Sequence, residues 1–107
     1  RGLIGDVART GFQVIEAATP LPVGDVAMAD LRALVEPQTI LWGGLPGTYF
    51  TPLVSDAEFE RHTREMLDVM VADRRMVLGV ADQVPPDGLR SRVARVVQLV
   101  EQYGRYR

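Results

Sequence analysis

Three times along this chain an apolar run leads into a turn rich in glycine or proline, and a stretch with helical spacing follows. The clearest case is Thr39-Ile-Leu-Trp-Gly-Gly-Leu-Pro-Gly-Thr48. Thr39 to Trp42 carry no charge on either side, the pattern of a strand buried on both faces, as parallel strands are. Gly43, Gly44, Pro46 and Gly47 then stop the strand and allow a tight turn or a close approach. Strand, turn and helix repeated in this order predict parallel strands joined by helical crossovers, an α/β fold.

The spacing predicts a short leading helix over Gly2 to Thr10, closed by Gly11. Phe12 to Ala18 reads as the first strand, and a loop with Pro20, Pro22 and Gly24 leads to a helix over Met28 to Val35, stopped by Pro37. Thr39 to Gly43 is the second strand. Ser55 and Glu58 form a capping-box pattern ahead of a helix from about Asp56 to Ala72. Its stripe is Phe59, Thr63, Met66, Leu67 and Met70, with Glu58–Arg61 and Glu60–Arg64 as surface pairs. Arg74-Arg75 begin the third strand, Met76 to Ala81, and the last helix runs from about Asp87 to Tyr103, closed by Gly104. Leu89, Val93, Val96, Val97, Val100 and Tyr103 form its expected buried stripe.

Right-handed crossovers constrain how these units assemble. If the strands lie in the order 1-2-3, every helix falls on the same face of the sheet. The opposite face is then bare, and its residues are too apolar for water to cover well. Closure into a larger barrel or coverage by another chain resolves this. A TIM (β/α)8 barrel takes about 250 residues. The 107 residues are therefore expected to form one partial-barrel domain, 1–107, the C-terminal portion of such a barrel. A doubly wound sheet, with helices on both faces, is the rival arrangement. The N-terminus begins at Arg1 without Met, as a processed or excised piece would.

Composition removes several kinds of chemistry. With no Cys, a disulfide, a thiolate zinc site and a Cys nucleophile are excluded, and a cytoplasmic location fits. All twelve basic residues are Arg, so a Walker A loop, a Schiff base and a Lys general base are excluded within this chain. A net charge of −2 gives no basis for nucleic-acid or acidic-membrane partners. No apolar run approaches the roughly 20 residues of a membrane span. One His, His62, cannot make a metal site and reads as partly exposed scaffold, and no motif calls for a cofactor. Arg90, Arg92 and Arg95 read as a solvated basic edge.

Three blocks carry a family resemblance: Phe12-Gln-Val-Ile-Glu-Ala-Ala-Thr-Pro-Leu-Pro-Val-Gly-Asp25, Thr39-Ile-Leu-Trp-Gly-Gly-Leu-Pro46 and Val77-Leu-Gly-Val-Ala-Asp-Gln-Val-Pro-Pro86. In order and spacing they resemble the last three βα units of the uroporphyrinogen decarboxylase superfamily. The resemblance spans nearly the whole chain. It implies a TIM-barrel enzyme, either a tetrapyrrole decarboxylase or a corrinoid-linked methyltransferase. Its implied substrate is a tetrapyrrole, a corrinoid or a methylated compound. The decarboxylases carry Gly-Asn-Leu-Asp where this chain has Gly43-Gly44-Leu45-Pro46, and Gly-His where it has Gly79-Val80. The Pro20 to Asp25 loop resembles the divergent, methyltransferase-like branch. The zinc methyltransferases place a Cys near the position of Val80, and this chain has none.

Barrel chemistry sits where strands end and loops begin. That rule selects Glu16, Thr19, Trp42, Gly43, Gly44 and Asp82. Glu16 is a carboxylate suited to a substrate amine or to acid–base work, or to pairing with an Arg of another strand. Trp42 suits stacking on a flat macrocycle, or core packing. Gly43 and Gly44 suit close ligand approach or a plain turn. Asp82 suits a polar ligand group or a turn. No catalytic residue is singled out. In isolation the chain is expected to be inactive and to self-associate. The alternative is a stand-alone binding or assembly module that oligomerises through its uncovered sheet face.

Overall fold

The structure, a computed structural model, describes residues 2–106. Arg1 and Arg107, the ends of the expected 1–107 domain, lie outside the described residues. Strands β1 (Val14–Ala18), β2 (Ile40–Pro46) and β3 (Met76–Ala81) form a parallel sheet in the order β1-β2-β3. Helices α1 (Gly2–Ala8), α2 (Met28–Leu31), α3 (Asp56–Asp73) and α4 (Arg90–Tyr103) alternate with them. A 3-10 turn extends α2 over Arg32–Leu34, and another follows β2 over Gly47–Phe50. The sequence-predicted α/β class with parallel strands is observed, and the strands take the sequential order that the sequence leaves as a condition. Among the described residues, no helix is long and apolar enough to cross a membrane.

One face of the sheet carries the core. Leu41, Leu45 and Met76 pack with Phe50, Phe59, Met66 and Met70, and Ile15, Leu78 and Val80 border the same cluster. Fully burying a side chain of this size stabilises the fold by about 1.5–3 kcal/mol. Residues on the opposite face stay open: Val14 is 42% exposed, Trp42 43% and Val77 40%. Trp42 and Val77 are register partners, as are Val14 and the half-buried Ile40, so these side chains share one surface across three strands. No described helix covers that surface. The expectation that β2 is buried on both faces therefore fails at Trp42.

β2 also runs farther than predicted, through Gly43 and Gly44 to Pro46. The two glycines sit inside the strand rather than in a turn. Both have positive φ, 151° and 94°. A β-carbon on Gly43 would lie 2.4 Å from the carbonyl oxygen of Ala18, where the register of β1 slips between Ile15 and Ala18. A β-carbon on Gly44 would lie 3.0 Å from Met70 Cε. Glycine here lets β1 and α3 approach the central strand while its ladder to β3 continues.

α3 begins as its cap predicts: Ser55 Oγ accepts the Glu58 N–H at 3.2 Å. The Glu58 side chain does not complete the box and bonds Arg61 instead. Arg61 also pairs with Glu65, while Glu60 pairs with Arg95 of α4 at 2.6 Å rather than with Arg64. Arg74, expected at the start of β3, caps α3 in a left-handed conformation.

α4 is rotated from its predicted stripe. Leu99 and Arg92 are buried and Val96 is half-buried, whereas Val93, Val97, Val100 and Tyr103 are exposed. Arg92, expected on a solvated edge, sets the rotation. Its guanidinium donates to the carbonyls of Tyr49 (2.7 Å), Thr51 (2.9 Å) and Val54 (2.6 Å) and to Asp56. Residues at i, i+4 and i+7 from Arg92 turn inward with it. Val93, Val97 and Val100 are left as a second open apolar strip.

Candidate functional site

The C-terminal ends of the three strands meet around a cleft of about 410 Å³. Thr19 enters from the loop after β1, Pro46 and Thr48 from the end of β2, and Asp82 and Gln83 from the loop after β3. Two backbone features shape it. Ala17 has φ of 59° and Asp82 has φ of 79°, both in the left-handed region. Aspartate tolerates that region through local hydrogen bonding, but alanine adopts it at a cost of about 1–2 kcal/mol. The slipped register of β1 holds Ala17 in this conformation and turns the chain toward the cleft.

The predicted site residues do not converge on this cleft. Asp82 and Thr19 line it. Glu16 is exposed beside α1, in a separate groove of about 260 Å³ bordered by Leu3, Ile4 and Val7. Trp42 lies on the open sheet face against Gly79. Gly43 and Gly44 are buried, their space taken by Ala18 and by α3. Asp82, Trp42 and Glu16 thus occupy three regions: the strand ends, the bare face and the α1 edge.

Residues of α3 that sequence reading treated as scaffold or wet face join a further connected polar arrangement. His62 is 3% exposed, not partly exposed as expected. Its Nε2 bonds the carbonyl oxygen of Gly44 at 2.9 Å, and its ring stacks on Tyr49 with centroids 4.4 Å apart. Tyr49 donates to Glu58 at 3.4 Å. Burial, then the negative charge of Glu58, pushes the Tyr49 phenol above its ordinary value. The Arg61 hydrogen bond holds the Glu58 carboxyl below the ordinary range. Spacing carried the signal for His62: it lies three residues after Phe59 and four before Met66, on the buried face of α3.

Among the described residues no group of three His, Cys, Asp or Glu is placed to hold a metal ion. No protein-family model matches the chain, and no curated protein matches it.

Proposed function

We propose that this chain is the C-terminal part of a uroporphyrinogen decarboxylase-like TIM-barrel enzyme, of the tetrapyrrole-decarboxylating or corrinoid-linked methyltransferase class. The observation that carries the reading is the one-sided sheet: parallel strands in sequential order, a helix-packed face, and an opposite face bearing Val14, Ile40, Trp42 and Val77. In a closed barrel that face lines the interior, where such side chains pack in layers. The open strip of Val93, Val97 and Val100 on α4 suits contact with a neighbouring helix of the outer ring. Substrate then binds at the strand C-termini, with Asp82 and Thr19 on the rim and Trp42 below, and Glu16 beside the first of these strands. The isolated chain holds only part of that pocket and has no turnover.

The reading frame ahead of Arg1 tests this. About 200 or more residues encoding further βα units, with decarboxylation or methyl transfer in the full product alone, are expected. A translation start beside Arg1, or turnover by the isolated chain, overturns it. The same bare face favours a second reading, a stand-alone module whose copies cover one another there, and a start beside Arg1 selects it.

A further inference from the structure

A second concavity, of about 370 Å³, lies on the helix layer between α3 and the proline-rich loop after β1. Pro20, Met28 and Met66, all buried, form its apolar floor, and the stacked Tyr49 and His62 form one wall. Glu58, Arg61 and Glu65 edge it.

The bonding pattern says what this groove can accept. Arg61 Nε and Nη2 donate to Glu58 at 3.0 and 2.5 Å, and its Nη1 donates to Glu65. With all three nitrogens on carboxylates, the guanidinium offers little to an incoming anion. Tyr49 directs its hydroxyl to Glu58. His62 Nε2 faces a carbonyl oxygen, so that nitrogen carries a hydrogen, and in the neutral ring Nδ1 is an acceptor. Nδ1 makes no hydrogen bond among the described residues, and no buried side-chain nitrogen or oxygen there lacks a partner. His62 is 97% enclosed and borders this groove. Glu65 Oε2 is likewise without a bond among the described residues. Two carboxylates against one guanidinium leave one negative charge. The groove combines unfilled acceptors, a net negative edge and an apolar, aromatic body, the make-up of a site that orients a ligand through a few polar groups.

We infer that this groove binds a small organic cation, an ammonium group on an apolar body, with the ammonium donating to His62 Nδ1 and Glu65 and the body resting on Tyr49 and the two methionines. The site is built wholly from this chain and stands whether or not the sheet belongs to a barrel.

Titration of the full chain with benzylammonium, followed by the ¹⁵N resonance of His62 Nδ1 and the amides of 58–66, tests it. Saturable shifts are expected, with benzyl alcohol binding at least about ten-fold more weakly and benzoate not binding. Glu65→Gln, at an exposed position that folding does not require, is expected to weaken benzylammonium binding about ten-fold. Val97→Gln on α4 leaves it unchanged. Absence of shifts, equal binding of benzyl alcohol, preference for benzoate, or an undiminished response in Glu65→Gln overturns the inference.

Discussion

Trp42 on β2 lies so close to Gly79 on β3 that a β-carbon at 79 would fall 2.6 Å from the indole Nε1. The only Trp of the chain thus rests on the open sheet face, over the one residue type that leaves it room. Gly79→Ala is expected to push the indole outward and shift Trp fluorescence toward longer wavelength. Because a half-exposed side chain can swing away, the stability loss should stay near or below about 1 kcal/mol. Unchanged emission would mean that the indole does not rest there.

Arg92 and Asp56 are unequal partners: the Arg side chain is 6% exposed and the Asp side chain 91%. Arg92 also satisfies three carbonyl groups of the segment between β2 and α3. Arg92→Leu strands those groups and should cost at least about 3 kcal/mol in urea unfolding. Asp56→Asn removes only a solvated charge and should cost less than about 1 kcal/mol. Equal losses would contradict the assignment of the clamp to the carbonyl bonds.

Arg32 grips Asp73 through Nε at 2.7 Å and Nη2 at 2.9 Å, while its Nη1 donates to the Thr39 carbonyl. Burial pushes the Asp73 carboxyl up, but the Arg32 bonds and the Arg75 N–H outweigh it and hold the group below its ordinary value. A depressed carboxylate contributes stability that is fully present above its unfolded value, about 4, and is lost as pH falls through the lower folded value. Native protein should exceed Asp73→Asn by about 1–2 kcal/mol near neutrality. The two stabilities should converge as pH drops below about 4. A constant gap down to acid pH would refute the link.

The sheet was legible because each strand is a mostly apolar run followed by a turn-forming stretch, although Arg74 and Arg75, expected to open β3, lie ahead of its observed start at Met76. The α3 cap was legible because Ser55 and Glu58 stand at the required spacing. The face of α4 was not, because a buried Arg inverts the usual relation between charge and exposure. Nothing local to Arg92 announces the carbonyls of Tyr49, Thr51 and Val54 that wait about 40 residues earlier. The extent of β2 was misread for a related reason. Gly43 and Gly44 signal a turn in isolation, yet the tertiary approach of Ala18 and Met70 puts them inside the strand. At the strand ends, Asp82 and Thr19 line the cleft, as strand-end logic expected of their position. That logic passed over His62, whose position on the buried stripe was plain from spacing but whose partner, the Gly44 carbonyl, was not.

The apolar sheet face needs a cover, and light scattering of the isolated chain across a range of concentrations tests this most directly. The expected result is a mass above that of the monomer, rising with concentration, and a return toward monomer in Trp42→Glu, which places a charge at the centre of that face. A monodisperse monomer at every concentration, melting in one cooperative step, would contradict it.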